Sequence, residues 1–104
     1  QESVSTMVFD EVDSGIGGAV STAVGERLKK LGKNRQVLVV THSPQVASLG
    51  VHHFLVKKKL LNNITSIDVI KIDSHDKTNE IARMLSGKQI TNEAIEAAKK
   101  LIEG

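Results

Sequence analysis

There is no cysteine among the 104 residues, which excludes disulfides, thiolate zinc sites and cysteine nucleophiles. Tryptophan and tyrosine are also absent. Aromatics make up 2%, which argues against a surface that stacks the bases of single-stranded nucleic acid. Pro44 is the only proline, and no low-complexity linker divides the chain. No apolar run approaches the ~20 residues that span a bilayer, and no signal-peptide pattern opens the sequence. The net charge is only +2, too small by itself to announce a nucleic-acid-binding face. These absences lead to the expectation of a soluble, intracellular chain with no membrane partner.

What is present suits one small domain or a piece of a larger one, with 39% apolar residues available for a core. The chain opens on Gln1 rather than methionine, and its first element follows almost at once. A piece of a longer protein is expected to look like this. Met7 to Phe9 and Val37 to Val40 are continuous apolar runs, which predict parallel strands buried on both faces. Between them Ile16, Val20, Ala23, Val24, Leu28 and Leu31 recur three or four apart and predict a helix face. Lys29 and Lys30 suit the end of that helix, and Gly32 suits its stop. The unit is βαβ.

Ser43 and Pro44 open a short helix running to about Leu49. His53 to Lys58 and Ile64 to Ile72 read as strands of a hairpin turning at Asn62-Asn63. A helix beginning at Asp76 or Thr78 follows and ends at Gly87. Another starts at Thr91, with Ile95, Ala98, Leu101 and Ile102 on one face. The predicted fold class is α/β: parallel strands with a crossover helix, then a β-hairpin and two C-terminal helices.

Parallel strands end on one edge of a sheet, where open α/β proteins bind ligands. Asp10 and Glu11 close the first strand, and Thr41 and His42 close the second. All four are therefore expected at one crevice. Two adjacent acids at the tip of an apolar strand suit magnesium-assisted phosphoryl transfer, Asp10 holding the metal and Glu11 taking a proton from the attacking water. Successive strand side chains point apart, so each acid can have its own task. The competing reading is an acidic strand end that simply faces water. His42 has two readings as well, a donor to a phosphate oxygen or a polar residue satisfied at a strand end.

Gly15, Gly17 and Gly18 look at first like a dinucleotide-binding turn. Asp10, Glu11 and Asp13 would repel a pyrophosphate there, so the glycines are read as a tight strand-to-helix turn. His52, His53 and His75 form no metal pattern. Lys57, Lys58 and Lys59 are read as a solvated strand end that discourages edge pairing, with contact to DNA phosphates as the alternative.

Three motifs carry a family resemblance over almost the whole chain, from about Met7 to Leu101. MVFDEVDSGIGG resembles the Walker B and D-loop region of SMC-like, ABC-type ATPase heads, and RQVLVVTHSPQVAS resembles their switch-histidine strand and loop. Together with NEIARMLSG they resemble most narrowly the RecN family of bacterial DNA repair proteins. The resemblance implies a single C-terminal lobe of an ATPase head over residues 1–104, with ATP and Mg2+ as cofactors of the intact protein.

It further implies Asp10 as the magnesium aspartate, acting through water, with Glu11 and His42 as the catalytic pair. Asp13, Ser14 and Gly15 would form the loop that meets a second head across an ATP-bound homodimer. DNA is the implied further partner, in a cytoplasmic, nucleoid-associated setting, in double-strand break repair and recombination. The pattern departs from the family in three respects: these residues contain no G-x-x-x-x-G-K-[ST] phosphate loop, no signature motif before Val4 and no coiled-coil heptads. The chain alone is therefore expected to be inactive. The alternatives are a non-catalytic module that docks a head or DNA, or a lobe of another ABC-type ATPase.

Overall fold

The computed structural model describes residues 6–10 and 17–104. Strand β1, Thr6–Asp10, pairs in parallel with β2, Gln36–Val40, in the register Thr6↔Gln36 through Asp10↔Val40. Helix α1, Gly18–Leu31, connects them, and the short α2, Pro44–Ala47, follows β2. Strands β3, His53–Leu61, and β4, Ile64–Ile72, form an antiparallel hairpin. Helices α3, Ser74–Ser86, and α4, Asn92–Glu103, complete the order. The α/β class and the order of elements agree with the sequence reading.

The local reasons are mostly those expected. Asn62 and Asn63 both hold positive φ, 52° and 63°, as the favoured two-residue hairpin turn requires. Ser43 caps α2 by accepting from the Val46 N–H, with Pro44 just inside. That helix is shorter than the expected run to Leu49, because its last turn tightens. Leu49 and Gly50 donate three residues back, to Val46 and Ala47. Helix α3 starts earlier than expected. Asp73, not Asp76 or Thr78, is its cap, its Oδ1 accepting from the Asp76 N–H at 2.8 Å. Thr78 instead bonds back to the Ser74 carbonyl at 3.0 Å. Gly87 ends α3 with φ +84°, a conformation that favours glycine.

Two expectations are corrected. Helix α1 does not bury the Val20, Ala23 and Val24 side of its predicted stripe. Its buried residues are Ser21, Gly25 and Leu28, spaced four and three apart, while Val20 and Ala23 are exposed. The small side chains of Ser21 and Gly25 let α2 come close. A Cβ at Gly25 would stand 2.8 Å from Leu49 Cδ1 and 3.3 Å from Val46 Cα. Nor are the parallel strands buried on both faces. Met7, Phe9, Val37 and Val39 are half-buried, but Val8, Leu38 and Val40 on the other face are about half exposed or more. No described residue covers that second face.

The core lies between α3 and α4. Ile81 and Ala82 meet Ala94 and Ala98, with Ala47, Met84, Ile95, Leu101 and Ile102 packed around them. Ile81 is fully buried, a contribution of roughly 1.5–3 kcal/mol. Ala47 ties α2 to this core, so the element that follows His42 is anchored from below.

Candidate active site

The parallel register fixes the site. Asp10 is the last residue of β1 and sits beside Val40, the last of β2. Neighbouring strands run about 4.8 Å apart, so the next residues of the second strand, Thr41 and His42, leave the sheet at the same edge as Asp10. Asp10 and His42 are exposed there and Thr41 is half-buried. Solvent, and hence a ligand, reaches both chemistry-bearing side chains. Glu11, and with it Asp13, Ser14 and Gly15, lies outside the described residues.

The loop after β2 is locally braced. The Ser43 N–H donates to Thr41 Oγ1 at 2.9 Å. Ser43 Oγ accepts from the Val46 N–H at 3.4 Å and donates to Gln45 Oε1 at 3.0 Å. His42 is thus bracketed by two residues joined through a hydrogen bond, on a turn that a helix cap terminates.

Gln45 is the residue that motif reading passed over. Its Nε2 lies 3.4 Å from where a Gly18 Cβ would stand. One amide side chain therefore spans from the loop after β2 to the first residue of α1. The α1 N-terminus has Gly17 at its cap position, with no side-chain cap and no acid in its first turn. Gln45 stands inside the PQVA motif, so the signal was in view, but its position over α1 depends on how α2 packs.

Among the described residues no group of three His, Asp or Glu side chains could hold a metal ion. Asp10 is a single hard oxygen donor at an exposed strand tip. That fits Mg2+, which keeps several waters and takes one or two carboxylates together with substrate phosphates. An open groove of about 310 Å3 lies elsewhere, between the hairpin and α3, lined by Leu55, Ile70, Ile72, Glu80 and Arg83 among others. It contains none of the edge residues, and its Glu80 and Arg83 are engaged with each other.

No family model matches the chain, but individual relatives do. It is 50% identical over 102 residues to DNA repair protein RecN of Xylella fastidiosa (strain 9a5c), covering 98% of this chain and 18% of that protein. It is 46% identical over 99 residues to RecN of Deinococcus radiodurans, covering 95% of the chain and 17% of the relative. Over almost its whole length the sequence is similar to RecN proteins. RecN of Vibrio cholerae serotype O1 matches at 43% over 97 residues, 93% of the chain and 18% of the relative.

The chain thus spans 18% of the length of the first of these curated relatives. A solved chain from work on ATP-driven dimerization and DNA stimulated activation of SMC ATPases shares the fold. Its TM-score is 0.60 at 19% identity, over 81% of this chain and 49% of that one. The RecN-type segment therefore has the α/β fold of an SMC ATPase chain.

Proposed function

We propose that this RecN-type chain is a C-terminal lobe of an SMC-like ATPase head that serves bacterial DNA double-strand break repair and recombination. In the intact protein the reaction is hydrolysis of ATP to ADP and phosphate. The observation that carries the reading is the parallel register. It brings Asp10 to the edge where Thr41 and His42 leave the sheet, in a sequence half identical to a RecN protein over 98% of its length.

The roles follow from that edge. Asp10 would hold Mg2+, through water. When bound, the metal supplies charge neutralisation for the phosphates. Glu11, the next residue, takes a proton from the attacking water as its oxygen bonds to the γ-phosphorus and the bond to the β-phosphate oxygen breaks. His42 donates to a γ-phosphate oxygen from its braced turn. Asp13, Ser14 and Gly15 reach toward a second head, with ATP between the two. The solved SMC ATPase chain is described in terms of ATP-driven dimerization, which supports that arrangement, and its DNA stimulation supports DNA as partner. A cytoplasmic, nucleoid-associated setting goes with this. Among the described residues no helix is long and apolar enough to cross a membrane.

The 104 residues include no phosphate-binding loop, so they lack the backbone amides and lysine that cradle ATP. This chain by itself should show no steady ATP turnover. In the longer protein, Glu11→Gln should lower turnover by at least about 100-fold and leave ATP binding intact. Phosphate release and nucleotide binding measured side by side test this. Normal turnover by the variant would remove Glu11 from its role and bring forward the docking-module reading.

A further inference from the structure

Residues Glu26 to Arg35 read E-R-L-K-K-L-G-K-N-R. Five cations stand against one acid, a net charge of +4 where the whole chain carries only +2. The remaining residues are therefore net acidic, and the small overall charge conceals a strongly basic end of α1. Arg27, Lys29, Lys30, Lys33 and Arg35 are all exposed. At 100° per residue, Lys30 lies on the side of α1 opposite the buried Ser21, Gly25 and Leu28, with Arg27 and Lys29 to either side. Cations near a helix C-terminus suit its dipole. That accounts for Lys29 and Lys30 in the last turn, but not for Arg27, Lys33 and Arg35.

Among the described residues no ion pair neutralises this cluster. The pairs there are Lys59–Asp68, Arg83–Glu80 and Lys99–Glu96. The Lys29 charge is also felt on α3. Lys77 of α3 donates to the Gly50 carbonyl at 2.7 Å. Burial first, and the Lys29 charge second, hold its pKa below the usual value. The hairpin lysines differ, because Lys59 is paired with Asp68 and Lys57 stands directly across from Asp68 in the register.

Like charges gathered in this excess call for a polyanion. Single strands are disfavoured: the only aromatics are Phe9 and Phe54, both on strands outside the cluster, so there is no stacking platform. We propose that Arg27, Lys29, Lys30, Lys33 and Arg35 form a landing surface for the phosphate backbone of duplex DNA, independent of base sequence. The choice of DNA as the polyanion rests on the RecN-type reading above.

The position in the fold adds to the inference. Arg35 Nη1 reaches Met7 Sδ at 3.5 Å, and the next residue, Gln36, pairs with Thr6. The cluster therefore sits where β1 and β2 begin, and Asp10 sits where they finish, roughly 13–17 Å away along a five-residue strand. DNA and nucleotide would engage opposite ends of the parallel pair, and neither would block the other.

The test is fluorescence anisotropy of this chain with labelled duplexes of two unrelated sequences, titrated at several salt concentrations without nucleotide. Lys29→Gln/Lys30→Gln/Lys33→Gln should weaken binding at least about tenfold at low salt. It should also reduce the slope of log K against log salt by about 3, close to one for each phosphate no longer neutralised. Lys29→Arg/Lys30→Arg/Lys33→Arg should bind as the unmodified chain does. Lys57→Gln/Lys58→Gln/Lys59→Gln removes the same charge from the hairpin and should leave most of the affinity. Equal losses in the two glutamine variants, or no loss in the first, would overturn the proposal, and so would tighter binding of duplex RNA. Failure here leaves the Glu11→Gln result in the longer protein untouched. Normal turnover by that variant would remove Glu11 from its role without altering DNA binding measured in the absence of ATP.

Discussion

At the scale of residues, His53 shows how position decides chemistry. Its sequence neighbour His52 is exposed, whereas His53 is half-buried at the start of β3. Burial first, and Lys77 next, push its imidazole below the usual 6.5, while Glu80 pulls the other way. The neutral ring is the form the fold accepts. The unfolded chain takes up a proton near pH 6.5, and the folded chain does so only at lower pH. Stability is therefore present above that value and is lost as pH falls from it toward the folded-state pKa. The urea midpoint should fall as pH is lowered from about 7.5 to about 5.5, and His53→Asn should flatten part of that fall. An equally steep fall in the variant, followed by circular dichroism, would clear His53 of the effect.

At the scale of elements, the close approach of α1 and α2 is the feature with most consequence for the site, because α2 carries Gln45 and follows His42. Gly25 makes the approach possible. Alanine there would gain up to about 1 kcal/mol of helix propensity. Its Cβ would also meet the Leu49 side chain and the Val46 backbone at 2.8 and 3.3 Å. Leu49 can rotate away, but the Val46 Cα moves only with its helix. Overpacking of this kind costs about 1–3 kcal/mol, so the net expectation for Gly25→Ala is a loss of about 1 kcal/mol in urea unfolding, with Gly25→Val losing more. A gain in stability would mean that α2 is not held against α1 as described. The apolar periodicity of α1 pointed to the wrong side for the same reason. Hydrophobic pattern marks where large side chains can be buried, and this contact is made by small ones.

At the scale of the whole molecule, much apolar surface faces solvent. The radius of gyration is 14.9 Å, against about 13 Å for a compact domain of this length. Along the hairpin, Phe54, Val56, Leu60, Ile67 and Val69 share one face by register and are all exposed. Exposed apolar strands of this kind associate. The chain should sediment with a mass that rises with concentration, and Val56→Lys/Ile67→Lys should bring it back toward a monomer. A monomer at every concentration would show that the lysines flanking this face already suffice to prevent association.

The sequence alone determined the order of elements, the Asn62-Asn63 turn and the edge shared by Asp10, Thr41 and His42. Those depend on local propensity, turn chemistry and the direction in which parallel strands must run. Three things were decided only in the tertiary structure. The small-residue face of α1 is the buried one because α2 packs there. Gln45 spans to Gly18 because a short helix is wedged between α1 and the α3–α4 core. One face of β1 and β2 stays exposed because a continuous apolar run states what a strand can bury, and only the packing of other elements decides whether it is buried.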